Sequence, residues 1–161
     1  MKELSALHHV GITVADLDRA VSFWGGLLES EPMWRRMLDA PYLGEVTGYP
    51  QCRIEVAMFR LAGETRLELL RYLEPGEANM PETARPGNVH IALSVGDIWS
   101  VWRRALALGA TPTSRAPIRV TSGANEGALA CYLRSPEGVT IELIEPAPEP
   151  RRIGASSRLA L

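Results

Sequence analysis

Two histidines and two glutamates recur at matching places in the chain, and they are the strongest candidates for chemistry. His9 opens the segment His-Val-Gly-Ile-Thr-Val-Ala-Asp, and His90 opens the similar segment His-Ile-Ala-Leu-Ser-Val-Gly-Asp. Glu68 and Glu142 each lie inside a short apolar segment further along. Imidazole nitrogens and carboxylate oxygens bind divalent metal ions and can leave positions open for water or substrate. The four residues are therefore predicted to be the ligands of one metal ion.

Alternation along the predicted strands places these four side chains together. Strand side chains point alternately to the two faces of a sheet, so His9 and His90 lie opposite the apolar residues that follow them. Glu68 and Glu142 are flanked in the same way by apolar neighbours. Two small curved sheets side by side would bring all four to the middle of one concave surface. A single strand histidine or glutamate is usually structural or solvated, but the duplication favours a functional site.

The same repetition predicts the elements that position the site. Each copy begins with a strand and continues as an amphipathic helix, whose apolar residues recur at helical spacing. Asp16 and Asp97 come just before these helices and are predicted N-caps. Further strands are predicted at 31–39 and 53–61 in the first copy, and at 111–115 and 127–134 in the second. The fold class is therefore α+β, with two paired βαβββ modules that form a curved mixed sheet around the metal site.

Stretches rich in proline and glycine set the predicted boundaries. Residues 1–146 are expected to form a single domain, with modules at about 4–74 and 87–146, and residues 147–161 a polar tail. The first copy is longer between its helix and its last strand. The surplus falls at 39–51, a segment rich in Pro, Gly and Tyr that is a candidate lid.

Composition and charge exclude several functional classes. The 161 residues are 46% hydrophobic and 22% charged, as expected for one globular domain. Seventeen Lys and Arg against nineteen Asp and Glu give a net charge of -2, which attracts neither nucleic acid nor an anionic membrane. No stretch approaches the ~18 apolar residues of a membrane span, and no signal peptide is evident. Cys52 and Cys131 lack metal-binding spacing, so a reducing cytoplasm is predicted.

Three other residues compete for a place in the site. His8 is next to His9, but the second copy has a valine at the equivalent position, so His8 is predicted to be structural. Tyr72 and Tyr132 could both face the cavity between the modules. Glutamates without a counterpart in the other copy are expected to be surface charges.

The paired modules resemble the vicinal oxygen chelate superfamily. The resemblance rests on the His-x-Gly/Ala openings and the hydrophobic-Glu-Leu closings, and it covers about residues 4–146. The superfamily includes glyoxalases, methylmalonyl-CoA epimerases, extradiol dioxygenases and antibiotic-resistance proteins. The resemblance implies a barrel-like sheet whose first and last strands supply the metal ligands, here His9, Glu68, His90 and Glu142. Together with exposed-looking helix tryptophans, it also implies a homodimer.

Within this superfamily the chain is similar to two branches. Residues 7–12 and 63–70 are most similar to epimerases, whereas a set of two His and two Glu is what metal-dependent glyoxalases show. Where epimerases carry an additional carboxylate base, the nearest residue is Gln51. The resemblance implies a divalent-metal-dependent lyase or isomerase that chelates two adjacent oxygens of a small substrate. A proton would move through an enediolate, with Glu68 or Glu142 as the catalytic base.

Two further classes stay open at this point. An Fe(II) extradiol-type dioxygenase uses two His and one Glu, and a fourth ligand at Glu68 would leave too few positions for catechol and oxygen. A non-catalytic binding protein of the resistance type generally lacks the ligand set. The ligands do not select among nickel, cobalt, manganese, zinc and iron. The expected partner is a small molecule with two adjacent oxygens, with no nucleic acid or membrane.

Overall fold

A computed structural model describes residues 6–74 and 82–148. The first half contains β1 (Val10–Thr13), α1 (Leu17–Leu28), β2 (Trp34–Leu38), α2 (Tyr42–Thr47), β3 (Ile54–Arg60) and β4 (Arg66–Tyr72). The second half contains β5 (His90–Ser94), α3 (Ile98–Ala107), β6 (Thr111–Pro112), β7 (Ile118–Arg119), β8 (Leu129–Arg134) and β9 (Thr140–Glu145). The predicted α+β class is confirmed. Each half has the predicted opening strand, helix and closing strand.

Each half forms its own mixed sheet. The strand order is β1-β4-β3-β2 in the first sheet and β5-β9-β8-β6 in the second, where β7 also pairs with β8. The opening strand runs parallel to the closing strand in both, while the other pairs are antiparallel. The barrel-like shape expected from the resemblance is not a closed barrel. Among the described residues, β1 and β5 each pair on one side only, so the two sheets stay separate.

The two long helices begin where the sequence predicted. The carboxylate of Asp16 accepts a hydrogen bond from the backbone N–H of Arg19 at 3.0 Å, and that of Asp97 accepts one from Ser100 at 3.0 Å. Each carboxylate satisfies a backbone N–H that has no partner within the helix and lies near the positive end of the helix dipole. Both predicted N-caps are confirmed.

One hydrophobic core lies under both sheets and both long helices. Leu67 and Leu69 of β4 are fully buried, and so are Ile141 and Leu143 of β9. The helices of the two halves also meet, because a Cβ on Gly26 of α1 would lie only 2.7 Å from a methyl carbon of Leu108, just after α3. The predicted alternation is therefore confirmed, and it leaves the intervening glutamates on the opposite faces of the sheets.

The candidate lid contains the short helix α2, which was not predicted. Its Leu43 is buried in a second apolar cluster with Cys52, Ile54 and Val56. Gly48 ends α2 with φ 77, the left-handed conformation that glycine adopts at little cost. A six-residue helix is too short to show a helical period in the sequence, which explains the miss.

The second half departs from the prediction at its outer strands. The strand expected at 111–115 is reduced to Thr111–Pro112, and a further strand forms at Ile118–Arg119. A proline has no N–H to donate, so Pro112 and Pro117 limit the pairing of this segment. Residues 75–81, between the two predicted modules, and residues 149–161 of the expected tail lie outside the described residues, and the domain boundaries stay predictions. None of the described helices has the length and apolar character needed to cross a membrane.

Candidate functional site

The first candidate pair joins the beginning and the end of the first module. His9 lies directly before β1, and the parallel pairing of β1 with β4 sets Glu68 beside Gly11. The Nε2 atom of His9 lies 3.3 Å from an Oε atom of Glu68. The glutamate side chain is 16% exposed, so it is half-buried but open to a ligand.

The second candidate pair repeats this arrangement in the other module. His90 begins β5, and the parallel partner β9 sets Glu142 beside Ala92. The Nε2 atom of His90 lies 3.1 Å from an Oε atom of Glu142, whose side chain is 19% exposed. The structure therefore brings each predicted histidine to the predicted glutamate of its own module.

The two His–Glu pairs do not come together into one cluster of ligands. Within the ranges 6–74 and 82–148, no group of three or more His, Cys, Asp or Glu side chains lies close enough together to hold one metal ion. The geometry contains two half-sites, one on each sheet. A shared site with all four ligands remains a prediction.

Each half-site has donors that fit a divalent metal ion. Metal bonds of about 2.1 Å at right angles put neighbouring nitrogen and oxygen donors about 3.0 Å apart. The separations of 3.3 Å in His9–Glu68 and 3.1 Å in His90–Glu142 are close to this value. Each pair therefore fits two adjacent positions around one ion.

The first pair has a polar neighbour, His8, that the sequence analysis placed outside the site. His8 is exposed, and its Nδ1 atom lies 2.7 Å from the Nδ1 atom of His9. The other ring nitrogen of His8 lies 3.3 Å from Nη1 of Arg66. The structure places His8 at the surface beside His9, and its structural role stays a prediction. Its adjacency to His9 was the available signal.

The second pair has an aromatic neighbour instead. Tyr132 of β8 lies directly opposite Glu142 of β9 in the antiparallel register. Its ring centroid lies 5.2 Å from that of His90, with the planes tilted by 40°. The corresponding residue in the first module, directly opposite Glu68, is the buried Met58.

Tyr72 lies on the same face of the first sheet as Glu68 but at its far end. Its ring contacts Tyr49 at a centroid distance of 5.7 Å, and it packs against the second apolar cluster beside α2. Burial raises the pKa of the Tyr72 hydroxyl above its ordinary value. Tyr72 therefore belongs to the apolar wall under the lid, whereas Tyr132 contacts a predicted ligand.

The faces that carry the two pairs differ in polarity. On the first sheet the residues beyond Glu68 are apolar and α2 covers them through Leu43. On the second sheet, Thr140 lies opposite both His90 and Arg134. Its hydroxyl is 3.0 Å from that of Thr83, which also accepts a hydrogen bond from Arg134 at 3.0 Å.

A cavity of about 350 Å³ lies between the modules. Its lining residues come from β1, from the approach to β5 and from the turn before β9, and they are Val10, Gly11, Ile12, Thr13, Gly87, Asn88, Val89, Ile91, Glu137, Gly138 and Val139. This volume is at the lower end of the range for small-molecule sites. Gly11, the strand neighbour of Glu68, belongs to the lining, whereas the four predicted ligands do not.

The duplicated modules, each with a parallel pairing of its first and last strands, define the class of protein. The chain matches the model of the Glyoxalase/Bleomycin resistance protein/Dioxygenase superfamily over residues 8–132, and it belongs to that superfamily. The resemblance to the vicinal oxygen chelate superfamily is thereby confirmed.

One relative in sequence and two solved structures are similar to this chain over most of its length. The chain is 32% identical over 146 residues to a 2-epi-5-epi-valiolone epimerase from Actinomyces sp., covering 86% of this chain and 78% of that protein. It is similar in structure to a glyoxalase family protein from Bacillus cereus, with TM-score 0.77, 27% identity and coverage of 92% and 99% of the two chains. A fosfomycin resistance protein from Listeria monocytogenes, solved with Mn(II) and sulfate, shares the fold at TM-score 0.60 and 18% identity, over 91% and 96% of the two chains.

Proposed function

We propose that the protein is a divalent-metal-dependent isomerase or lyase of the epimerase and glyoxalase type, and that epimerisation is its reaction. The observation that carries the proposal is the pairing of one His with one Glu at equivalent places in both modules. The similarity to an enzyme named as an epimerase favours epimerisation over the other reactions of this class.

His9, Glu68, His90 and Glu142 would hold the metal. A bound divalent cation supplies positive charge that stabilises an oxyanion next to a carbon acid, an effect worth several kcal/mol. The donor set does not distinguish nickel, cobalt, manganese, zinc and iron.

The two glutamates would move the proton. Glu142 is proposed to accept a proton from the carbon next to a carbonyl, and Glu68, released from the metal in its protonated form, to return one from the other module. Exchange with water would then remove the proton from Glu142 and restore that of Glu68. Both carboxylates are half-buried, so water competes less for them than at an open surface. Return to the opposite face of the same carbon gives an epimer, and return to the neighbouring atom gives an isomer. Atoms and electrons balance in both cases, because a proton leaves and a proton returns.

A small substrate with a hydroxyl or second oxygen next to a carbonyl suits this site. The substrate of the Actinomyces relative, 2-epi-5-epi-valiolone, is the first compound to test. We also propose a homodimer, since Trp99 on α3 is a large apolar side chain that is 40% exposed. A cytoplasmic location is proposed because Cys52 and Cys131 are both free thiols.

Metal content and solvent exchange test the proposal together. Purified protein should contain one divalent ion per predicted site, and 2-epi-5-epi-valiolone or a related hydroxyketone should take up deuterium from D₂O at the carbon next to its carbonyl. His9→Ala should lose the ion, and Glu142→Gln should lose exchange. Glu64→Gln, at an exposed loop position, is the matched control and should change neither.

Three results would contradict the proposal. Protein that binds no divalent ion would favour a non-catalytic binding role. Bound metal without deuterium uptake across a panel of hydroxyketones would exclude the proposed proton transfer. Oxygen consumption with catechols in the presence of ferrous iron would favour the dioxygenase class instead.

A further inference from the structure

The two predicted metal-binding histidines are held by different neighbours. In the first module, His9 has a polar contact with His8, which in turn contacts Arg66. In the second module, His90 lies against the ring of Tyr132. Both modules supply one predicted His ligand and one predicted Glu ligand, but the residues that surround these ligands differ.

The position of Tyr132 follows from the strand register. It lies opposite Glu142, and side chains of directly opposed residues in an antiparallel pair extend on the same face, about 5 Å apart at Cβ. Met58 has the same relation to Glu68 in the first module. Tyr132 is half-buried and its strand neighbours Cys131 and Leu133 are buried in the core, which fixes the side of the sheet to which its ring points.

We infer that Tyr132 is a positioning residue for His90, and that its ring keeps the imidazole turned toward Glu142. The ring centroids are 5.2 Å apart, within the range of favourable aromatic contacts. Such contacts restrict the rotation of an exposed side chain, and His90 is 41% exposed. The inference rests on the proposed function, since it concerns the orientation of one of the proposed ligands.

The flat ring carries this role, and the hydroxyl group does not. Tyr132→Phe keeps the ring and should therefore keep the orientation of His90. Tyr132→Met installs the residue that the first module has at this position, so it suits the fold while removing the ring. Tyr132→Leu repeats the loss of the ring with a different shape. Tyr42→Met makes the same chemical change on exposed α2 and is the matched control.

Two measurements test the inference. Ring-proton NMR resonances of His90 can be assigned by their loss in His90→Asn, because the chain has only 3 histidines. Nuclear Overhauser contacts between these ring protons and the side-chain protons of Glu142 should weaken in metal-free Tyr132→Met, while Tyr132→Phe and Tyr42→Met should keep them. Titration with Co²⁺ should show affinity lower by about tenfold or more in Tyr132→Met, the usual size of the effect when a residue supporting a metal ligand is lost.

The outcomes separate this inference from the proposed function. Unchanged His90–Glu142 Overhauser contacts in both ring-less variants would overturn the inference, and so would weakened contacts with unchanged Co²⁺ affinity. Equal losses in Tyr132→Phe and Tyr132→Met would also overturn it, because the hydroxyl would then be responsible. Wild-type protein that binds no divalent ion would overturn the proposed function, and the His90–Glu142 Overhauser contacts alone would then decide the inference.

Discussion

Gly11 and Glu68 lie side by side on the parallel strands β1 and β4, and a Cβ on Gly11 would be 3.7 Å from a carboxylate oxygen of Glu68. The equivalent neighbour of Glu142 is Ala92. A small residue beside each glutamate leaves the carboxylate free to lie over its neighbouring strand. The size of these two residues therefore helps to determine where the carboxylates point.

The effect of a substitution at Gly11 on metal content should depend on the size of the new side chain. Gly11→Ala copies the second module, and its added carbon meets only the flexible end of Leu70 at 3.3 Å and the carboxylate at 3.7 Å, so metal content should stay near that of the wild type. Gly11→Val adds two more carbons beside Glu68 and should lower metal content, with a stability loss of about 1 to 3 kcal/mol if the strand is overpacked. Elemental analysis and urea unfolding measure the two effects. Equal metal content in both variants would contradict the prediction.

Removing the cap of α1 should destabilise the protein. Asp16→Ala loses the hydrogen bond to the N–H of Arg19, and the free energy of unfolding should fall by about 1 kcal/mol, within a range of about 0.5 to 2. Asp16→Asn keeps an oxygen acceptor and should stay close to the wild type. Urea unfolding monitored by tryptophan fluorescence measures the difference. An asparagine variant as unstable as the alanine variant would show that the cap geometry is not the cause.

The stability of the protein should fall as the pH rises from about 9 to 11. Burial raises the pKa of the Cys131 thiol from 9.0 to about 11. In this interval the unfolded chain loses the thiol proton while the folded protein keeps it, and the unfolded state is therefore favoured as the pH rises. Below pH 9 both states keep the proton and the thiol adds no pH dependence.

Cys131 variants isolate this effect from other groups that titrate in the same interval. Unfolding free energies measured at several pH values should decline less steeply in Cys131→Ser and Cys131→Ala than in the wild type. The slopes are compared, because loss of the buried sulfur also lowers stability at every pH. Identical slopes in all three proteins would contradict the prediction.

The anchor of α2 should control how firmly the lid is held. Leu43 is 6% exposed and packs on Cys52, Ile54 and Val56, whereas Val46 on the same helix is 74% exposed. Leu43→Ala should speed amide hydrogen exchange over residues 42–47, because local opening depends on few buried contacts. Val46→Ala should leave the exchange rates close to wild type. Equal acceleration in both variants would show that Leu43 is not the anchor.

Much of the architecture could be predicted from the sequence because both modules carry the same pattern of strands, helix and polar residues. The caps Asp16 and Asp97, the buried leucines beside Glu68 and the placement of the two glutamates on the opposite faces of the sheets all follow from period-2 or helical patterns that recur in both modules. A pattern that occurs at equivalent places in both modules is less often accidental than one that occurs once. Residues that lack a counterpart, such as those of α2 and β7, could not be identified in this way.

The surroundings of the site could not be predicted from alternation alone. The contact of His8 with His9 arises before β1 begins, where strand periodicity does not apply. The ring contact of Tyr132 with His90 depends on the register of β8 against β9 and on side-chain rotamers. Such contacts are set by tertiary packing, which local sequence patterns do not specify.

The parallel pairing of first and last strands has a consequence for how the protein folds. His9 and Glu68, like His90 and Glu142, come from opposite ends of a module, roughly 50 to 60 residues apart in the chain, and contacts of such high contact order form slowly. Neither half-site can assemble until its module has brought its ends together. Metal present during refolding would therefore stabilise completed modules, and metal uptake would follow the final closure of the chain in time.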